Sequence, residues 1–146
     1  MAARYRLTTW RRVANVLMRE LLRWGLAPRH TYLLTVRGRK SGQPHATPVT
    51  LVEEGQERWL VAPYGEVGWV RNARAAGAVT LTRGRRVEIV AIRELGPTEA
   101  APVLKRYVKS VPFTRPFFDV TPESDLVAFE AEAARRPVFR LLPRAF

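Results

Sequence analysis

The sequence predicts a mainly β, α+β fold: a barrel of about six antiparallel strands with an N-terminal helix and short peripheral helices. Three observations predict it. From Thr31 onward apolar residues recur with a period of two, as in strands with one buried face. The turn signals Glu54-Gly55-Gln56 and Arg83-Gly84-Arg85 separate alternating runs and suit tight hairpins. The strands are also short and numerous, and closing them into a barrel hides their edges. At 146 residues the chain is expected to form a single domain, 1–146, with a proper core.

Each element has its own grounds. Residues 9–24 read as an amphipathic helix, because Trp10, Val13, Leu17, Leu21 and Trp24 share helical spacing and Arg11, Arg12, Arg19 and Arg23 fall mostly elsewhere. Thr8 or Thr9 caps its start and Gly25 ends it. A helix laid on the core is the simpler expectation; contact with a membrane surface or a partner is the rival. Strands follow near 31–37, 45–53, 58–63, 78–83, 85–95 and 137–142. Pro48 inside the second of them implies an edge or a bulge. Between the strands, 68–76 reads as a two-turn helix stopped by Gly77. A helix over 99–110 buries Val103, Leu104, Tyr107 and Val108, with Pro102 tolerable in its first turn. A last helix spans about 123–135, with Pro122 and Glu123 near its start and Pro137 beyond its end.

The composition narrows function. A formal net charge of +12 calls for an anionic partner. No Asp or Glu lies between Glu20 and Glu53, whereas Arg23, Arg29, Arg37, Arg39 and Lys40 do. The chain has no cysteine and only two histidines, which excludes disulfides and Cys- or His-built metal sites. No run approaches the roughly 20 uncharged apolar residues of a membrane span, and no signal-peptide pattern is visible. A cytoplasmic location is the expectation.

The positive charge peaks on Thr35–Pro48. Gly38 and Gly42 bracket Arg39, Lys40 and Ser41 at the tip of a turn. Two glycines free the backbone for positive φ and for convergent N–H groups, and two cations and a hydroxyl add charge and a donor. An anion cradle and a plain polar hairpin tip both fit. Phosphate-binding and hydrolase signatures are missing: there is no Walker A loop, no Gly-x-Gly-x-x-Gly and no Gly-x-Ser-x-Gly. An anion cradle on a barrel without an acid–base constellation suits an enzyme whose cofactor carries the chemistry.

Gly38-Arg39-Lys40-Ser41-Gly42-Gln43-Pro44, then Thr47-Pro48, then Trp69-x-x-Asn72, resembles the deazaflavin-dependent nitroreductase family. Members are split β-barrel oxidoreductases that use coenzyme F420, and the likeness runs from the N-terminal helix to about residue 92. The resemblance implies hydride transfer from reduced F420 to an activated alkene, a quinone or a nitro compound. It places Arg39, Lys40, Ser41 and Gly42 on the cofactor's phosphate and oligoglutamate tail, with His45 where a relative carries Arg. Thr47 and Pro48 then line the passage to the deazaflavin ring. Backbone N–H groups of Val61, Ala62, Pro63-flanked Tyr64 and Gly65 meet the ring edge, and Trp69 and Asn72 form the same wall. Phe113, Phe117 and Phe118 line the acceptor pocket. Two departures are visible: the loop before Trp69 is short, with Gly68 in place of the frequent Pro, and Tyr64 stands where a small or polar residue is common. No proton donor stands out, with Tyr64 and water both open.

Rival readings are a related barrel that binds FMN, haem or another tetrapyrrole, and a non-enzymatic binder of lipid or nucleic acid. FMN has no oligoglutamate tail to match so many cations. Nucleic acid is not expected, because most aromatics fall at core-like positions rather than among exposed cations. Peripheral membrane contact and a homodimer stay open.

Overall fold

The computed structural model describes residues 29–143 and the isolated Val16. Apart from Val16, which is helical, the helix expected over 9–24 lies outside the described residues. The elements are β1 (Thr31–Arg37), β2 (Pro44–Glu54), β3 (Glu57–Val61), α1 (Gly68–Ala76), β4 (Ala78–Arg83), β5 (Arg86–Glu94), α2 (Pro97–Ser110), a 3-10 turn (Pro112–Phe117), α3 (Leu126–Ala133) and β6 (Val138–Pro143).

The six strands close into an antiparallel barrel in the order β1-β2-β3-β6-β5-β4. Gly55 and Gly84 turn the two hairpins at φ of 59° and 60°, a conformation that costs glycine little. Pro48 pairs with Leu33 of β1. β3 pairs with β2 only over Leu51–Glu54, so Pro48 sits on a length of β2 whose other edge β3 does not use. The missing N–H is tolerated there.

Apolar side chains separate into two cores. Leu34, Val36, Leu51, Leu60, Leu81 and Phe139 fill the barrel, and Val70 and Ala73 of α1 join them from one end. Outside the barrel, Val52, Val61 and Val138 pack under α2 and α3 against Leu104, Tyr107, Val108 and Phe129. Strand alternation makes both possible, since neighbouring residues Leu51 and Val52, or Leu60 and Val61, point to opposite faces.

Two helix starts differ from the sequence reading. α2 begins at Pro97, the first helical position, where a proline's missing N–H costs nothing. Pro102 therefore falls inside the helix, beyond the first turn. It sits on the exposed face, so the lost hydrogen bond opens to water. α3 begins at Leu126 rather than near 123, because the Asp125 side chain accepts the Ala128 N–H at 2.9 Å and caps the helix. Such a cap is worth about 1 kcal/mol.

Candidate cofactor site

The turn between β1 and β2 is folded tightly on itself. The Gly38 N–H donates to the Gln43 carbonyl at 2.8 Å, and the Gly42 N–H donates to the Gly38 carbonyl at 3.0 Å. The Gln43 N–H donates to Ser41 Oγ at 3.2 Å. Its two glycines are needed for different reasons. Gly42 has φ of 73°, which disfavours a side chain. Gly38 has no positive φ; there a Cβ would lie 2.9 Å from both His45 Nε2 and Ser41 Oγ. Crowding, not backbone freedom, disfavours a side chain at Gly38, where the Gln43 carbonyl oxygen would lie 3.1 Å from its Cβ.

Asn72 ties the turn to α1. Its side chain is buried, and Oδ1 accepts the Arg39 N–H at 3.1 Å and Arg39 Nη1 at 2.7 Å. One amide oxygen thus fixes both the backbone and the guanidinium of Arg39, 33 residues away. With the N–H groups of Gly38, Arg39, Gly42 and Gln43 bonded inside the protein, the expected cradle of convergent N–H groups is largely spent. The positive side chains carry the charge instead. Arg37, Arg39, Lys40 and His45 are exposed, and among the described residues no carboxylate pairs with any of them.

Arg37 is the residue that sequence reasoning left out of the site. Its guanidinium lies 3.7 Å from where a Gly42 Cβ would stand, so it runs alongside the turn. Its place in the acid-free run was the available signal. Arg74, on the same helix as Asn72, is a contrasting case. It donates to Glu66 and to Glu94, at distances of 2.5 to 2.9 Å. Those bonds push its pKa further up and hold the Glu66 carboxyl below its usual value. The Arg74 charge is therefore balanced by two carboxylates, whereas Arg39 and Lys40 have none among the described residues.

Thr47 and Pro48 follow the turn on β2, half-buried opposite Leu34 and Leu33 of β1. Trp69, one helical turn before Asn72, is half-buried against the barrel core. Its ring lies 6.3 Å from that of Phe139, tilted by 52°. Trp69 is thus tied to packing, and Asn72 to the turn, with about 4.5 Å of helix rise between them.

The second wall precedes α1. Val61, Ala62, Pro63 and Gly65 are buried, and Tyr64 is half-buried. The Ala62 N–H donates to the Pro137 carbonyl at 2.9 Å and the Gly65 N–H to the Ala62 carbonyl at 3.1 Å. These two donors are therefore engaged internally, contrary to the expectation that they face a ring edge. Gly65 has φ of 83°, and a Cβ there would lie 3.2 Å from the Arg135 carbonyl oxygen. The Tyr64 ring meets Phe117 edge to face at 4.8 Å. The three phenylalanines part company. Phe113 is 69% exposed, Phe117 is buried beside Tyr64, and Phe118 belongs to the outer core, tilted against Tyr107 at 6.2 Å. Phe118 therefore does not line an open surface in this structure.

The fold is that of a split-barrel protein, and among the described residues the cations of its β1–β2 turn have no carboxylate partner. The sequence matches the F420H(2)-dependent quinone reductase family over residues 4–115, and the chain belongs to that family. Among solved structures, an F420-H2 dependent reductase is 27% identical, with 77% of this chain and 94% of that one covered and a TM-score of 0.54. A protein described as a domain-swapped dimer is 24% identical, with coverage of 90% and 96% and a TM-score of 0.58. A protein of unknown function from Agrobacterium tumefaciens is 16% identical, covers 92% of this chain and 57% of its own, and has a TM-score of 0.60. No curated protein matches the chain. The chain is an F420-dependent reductase, and F420 is its cofactor. The sequence resemblance named the deazaflavin-dependent nitroreductases, with a quinone among their acceptors; the matched family is described as F420H(2)-dependent quinone reductase.

Proposed function

We propose that this protein passes a hydride from reduced F420 to an electron-poor small molecule, with a quinone favoured over an activated alkene or a nitro compound. The family description supports the quinone. F420 supplies the hydride when bound; the protein supplies position, charge and a dry wall. Arg39 and Lys40, with Ser41, Gly42 and His45 around them, hold the phosphate and oligoglutamate tail. Thr47 and Pro48 lead from the turn toward the ring, which rests between Val61–Gly65 and the Trp69–Asn72 face of α1. Tyr64, backed by Phe117, faces the acceptor, and exposed Phe113 covers it from the 3-10 turn. Phe118 supports this wall from the core rather than touching the acceptor.

The observation that carries this reading is the Asn72–Arg39 contact. It joins the charged turn to the helix that continues from the second wall, so the two halves of a long, polar-tailed cofactor meet one rigid element. The cations that lack a carboxylate partner among the described residues also argue against FMN or a tetrapyrrole, neither of which has an oligoglutamate tail to meet them. The same reading takes 1–146 as one domain in the cytoplasm. The relative described as a domain-swapped dimer supports a homodimer. Among the described residues no helix is long and apolar enough to cross a membrane.

The test is fluorescence titration with F420. Arg39→Ala with Lys40→Ala should weaken binding by about 10- to 100-fold, as expected for losing two charge-assisted contacts. The variant's affinity should also depend less on salt. Unchanged affinity would remove the tail assignment.

A further inference from the structure

Glu132, in the last turn of α3, is fully buried although it carries a carboxylate. Its Oε2 accepts Arg135 Nη2 at 2.7 Å. Among the described residues its Oε1 has no hydrogen-bond partner, and neither has the buried Nε of Arg136. These two atoms lie 3.6 Å apart, close enough to attract and too far to hydrogen-bond. An apolar pair of the same shape would avoid the desolvation cost of both. Leu126–Ala133 is otherwise mostly apolar, and nothing in the helix itself requires a buried acid.

The rest of the Arg136 guanidinium supplies a reason. Its Nη2 donates to the Phe117 carbonyl, and its Cζ lies 5.6 Å from the Phe118 ring centroid. Phe117 in turn meets Tyr64 edge on. The Gly65 backbone lies against the same residue: a Cβ there would be 3.5 Å from Arg136 Nη1. One side chain therefore reaches the end of the 3-10 turn and the segment that bears Tyr64.

We propose that Glu132 and Arg136 are positioning residues for the acceptor side of the site, acting through Phe117 on Tyr64. This rests on the reading of Val61–Gly65 as the wall beside the ring. Glu132 provides the charge that keeps Arg136 turned inward. The Arg136 side chain is 13% exposed, so without that charge it has water within reach. The Phe117 carbonyl then loses the Arg136 donor, and with it the guanidinium that sets Phe117 against Tyr64.

The test uses the full chain and two variants. Glu132→Gln keeps the shape and removes the charge. In the cofactor-free protein, amide exchange over residues 112–118 should quicken by about tenfold while residues 31–50 keep their protection. With F420H2 and a water-soluble benzoquinone, KM for the quinone should rise by about fivefold at nearly constant kcat and F420 affinity. Glu132→Gln combined with Arg136→Met removes both charges, which should restore thermal stability but not the donor to Phe117. Exchange over 112–118 and KM staying high in this stable double variant support positioning. Recovery of both alongside stability, or a Glu132→Gln protein with unchanged exchange and KM, overturns it. Should Glu132→Gln alone not fold, the double variant decides. If the parent protein fails to oxidise F420H2 with the quinone, the functional reading falls, whereas the exchange contrast still reports on Phe117.

Discussion

The two walls of the proposed site are held in different ways. The turn at Gly38–Gln43 is exposed and charged, and it keeps its shape through short-range hydrogen bonds and one distant anchor, Asn72. The wall at Val61–Gly65 is mostly buried, and it keeps its shape by packing against Arg135, Arg136 and Phe117 as well as by the hydrogen bonds of the Ala62 and Gly65 N–H groups. The first is suited to a ligand that brings charge from water, because its cations keep their hydration until they are used. The second is suited to a flat ring, because its polar backbone groups at Ala62 and Gly65 are satisfied already and leave an apolar surface. Perturbing the wall should cost stability first, and perturbing the turn should cost affinity first.

The largest expected effect is at the wall. Gly65→Ala adds a Cβ at φ of 83°, 3.2 Å from the Arg135 carbonyl oxygen. Strain and crowding together should lower stability by about 2–3 kcal/mol. Gly55→Ala has a similar φ with nothing within 4 Å, so it isolates the strain, worth about 1–2 kcal/mol. Urea denaturation of both variants measures the difference; equal losses would show that the wall yields freely.

Next comes the anchor of the turn. Asn72→Ala removes the acceptor of two Arg39 donors and should weaken F420 binding by about tenfold, with a loss of stability near 1 kcal/mol. Asn72→Asp sharpens the point. A carboxylate there would bind Arg39 more tightly and hold the turn in place, yet it would add a negative charge beside the proposed position of the cofactor's anionic tail. Stability should be kept and affinity should fall by a similar factor. An Asp variant that binds F420 as well as the parent would mean that Asn72 matters only for the turn's shape.

Much of this architecture was legible in the sequence. Period-two alternation and the glycine turns at 55 and 84 placed all six strands within two residues of their ends, because each strand buries one face and each hairpin needs a positive φ. The turn and the Trp69–Asn72 helix were also legible as separate features. Their hydrogen bond was not, since it joins residues 33 apart and depends on how α1 closes the barrel. Local charge also misleads. Arg74 and Arg39 look alike in sequence, and only the fold brings Glu66 and Glu94 to one of them. Glu132 reads as one more acid near the end of a helix, and its burial follows from how α3 packs against α2. The start of α3 was missed because Pro122 and Glu123 looked like a helix beginning, while Asp125 provides the actual cap.

The smallest expected effect lies in mildly alkaline solution. Burial raises the Tyr107 pKa in the outer core, above all other causes. Burial and then the neighbouring Glu53 carboxylate raise that of Tyr32 on β1. A raised value means that the fold prefers the neutral phenol. The stability this contributes is fully present below the unfolded tyrosine pKa of about 10 and is lost as pH rises above it. Urea midpoints should therefore hold steady from pH 8 to about 9.5 and fall beyond about 10. Tyr107→Phe should flatten much of that fall, since Tyr107 is 3% exposed and packs behind the wall. Tyr32→Phe should flatten less, because its hydroxyl is only part-buried. If Tyr32→Phe flattened the curve more than Tyr107→Phe did, the alkaline weakness would lie in the barrel and not behind the buried wall.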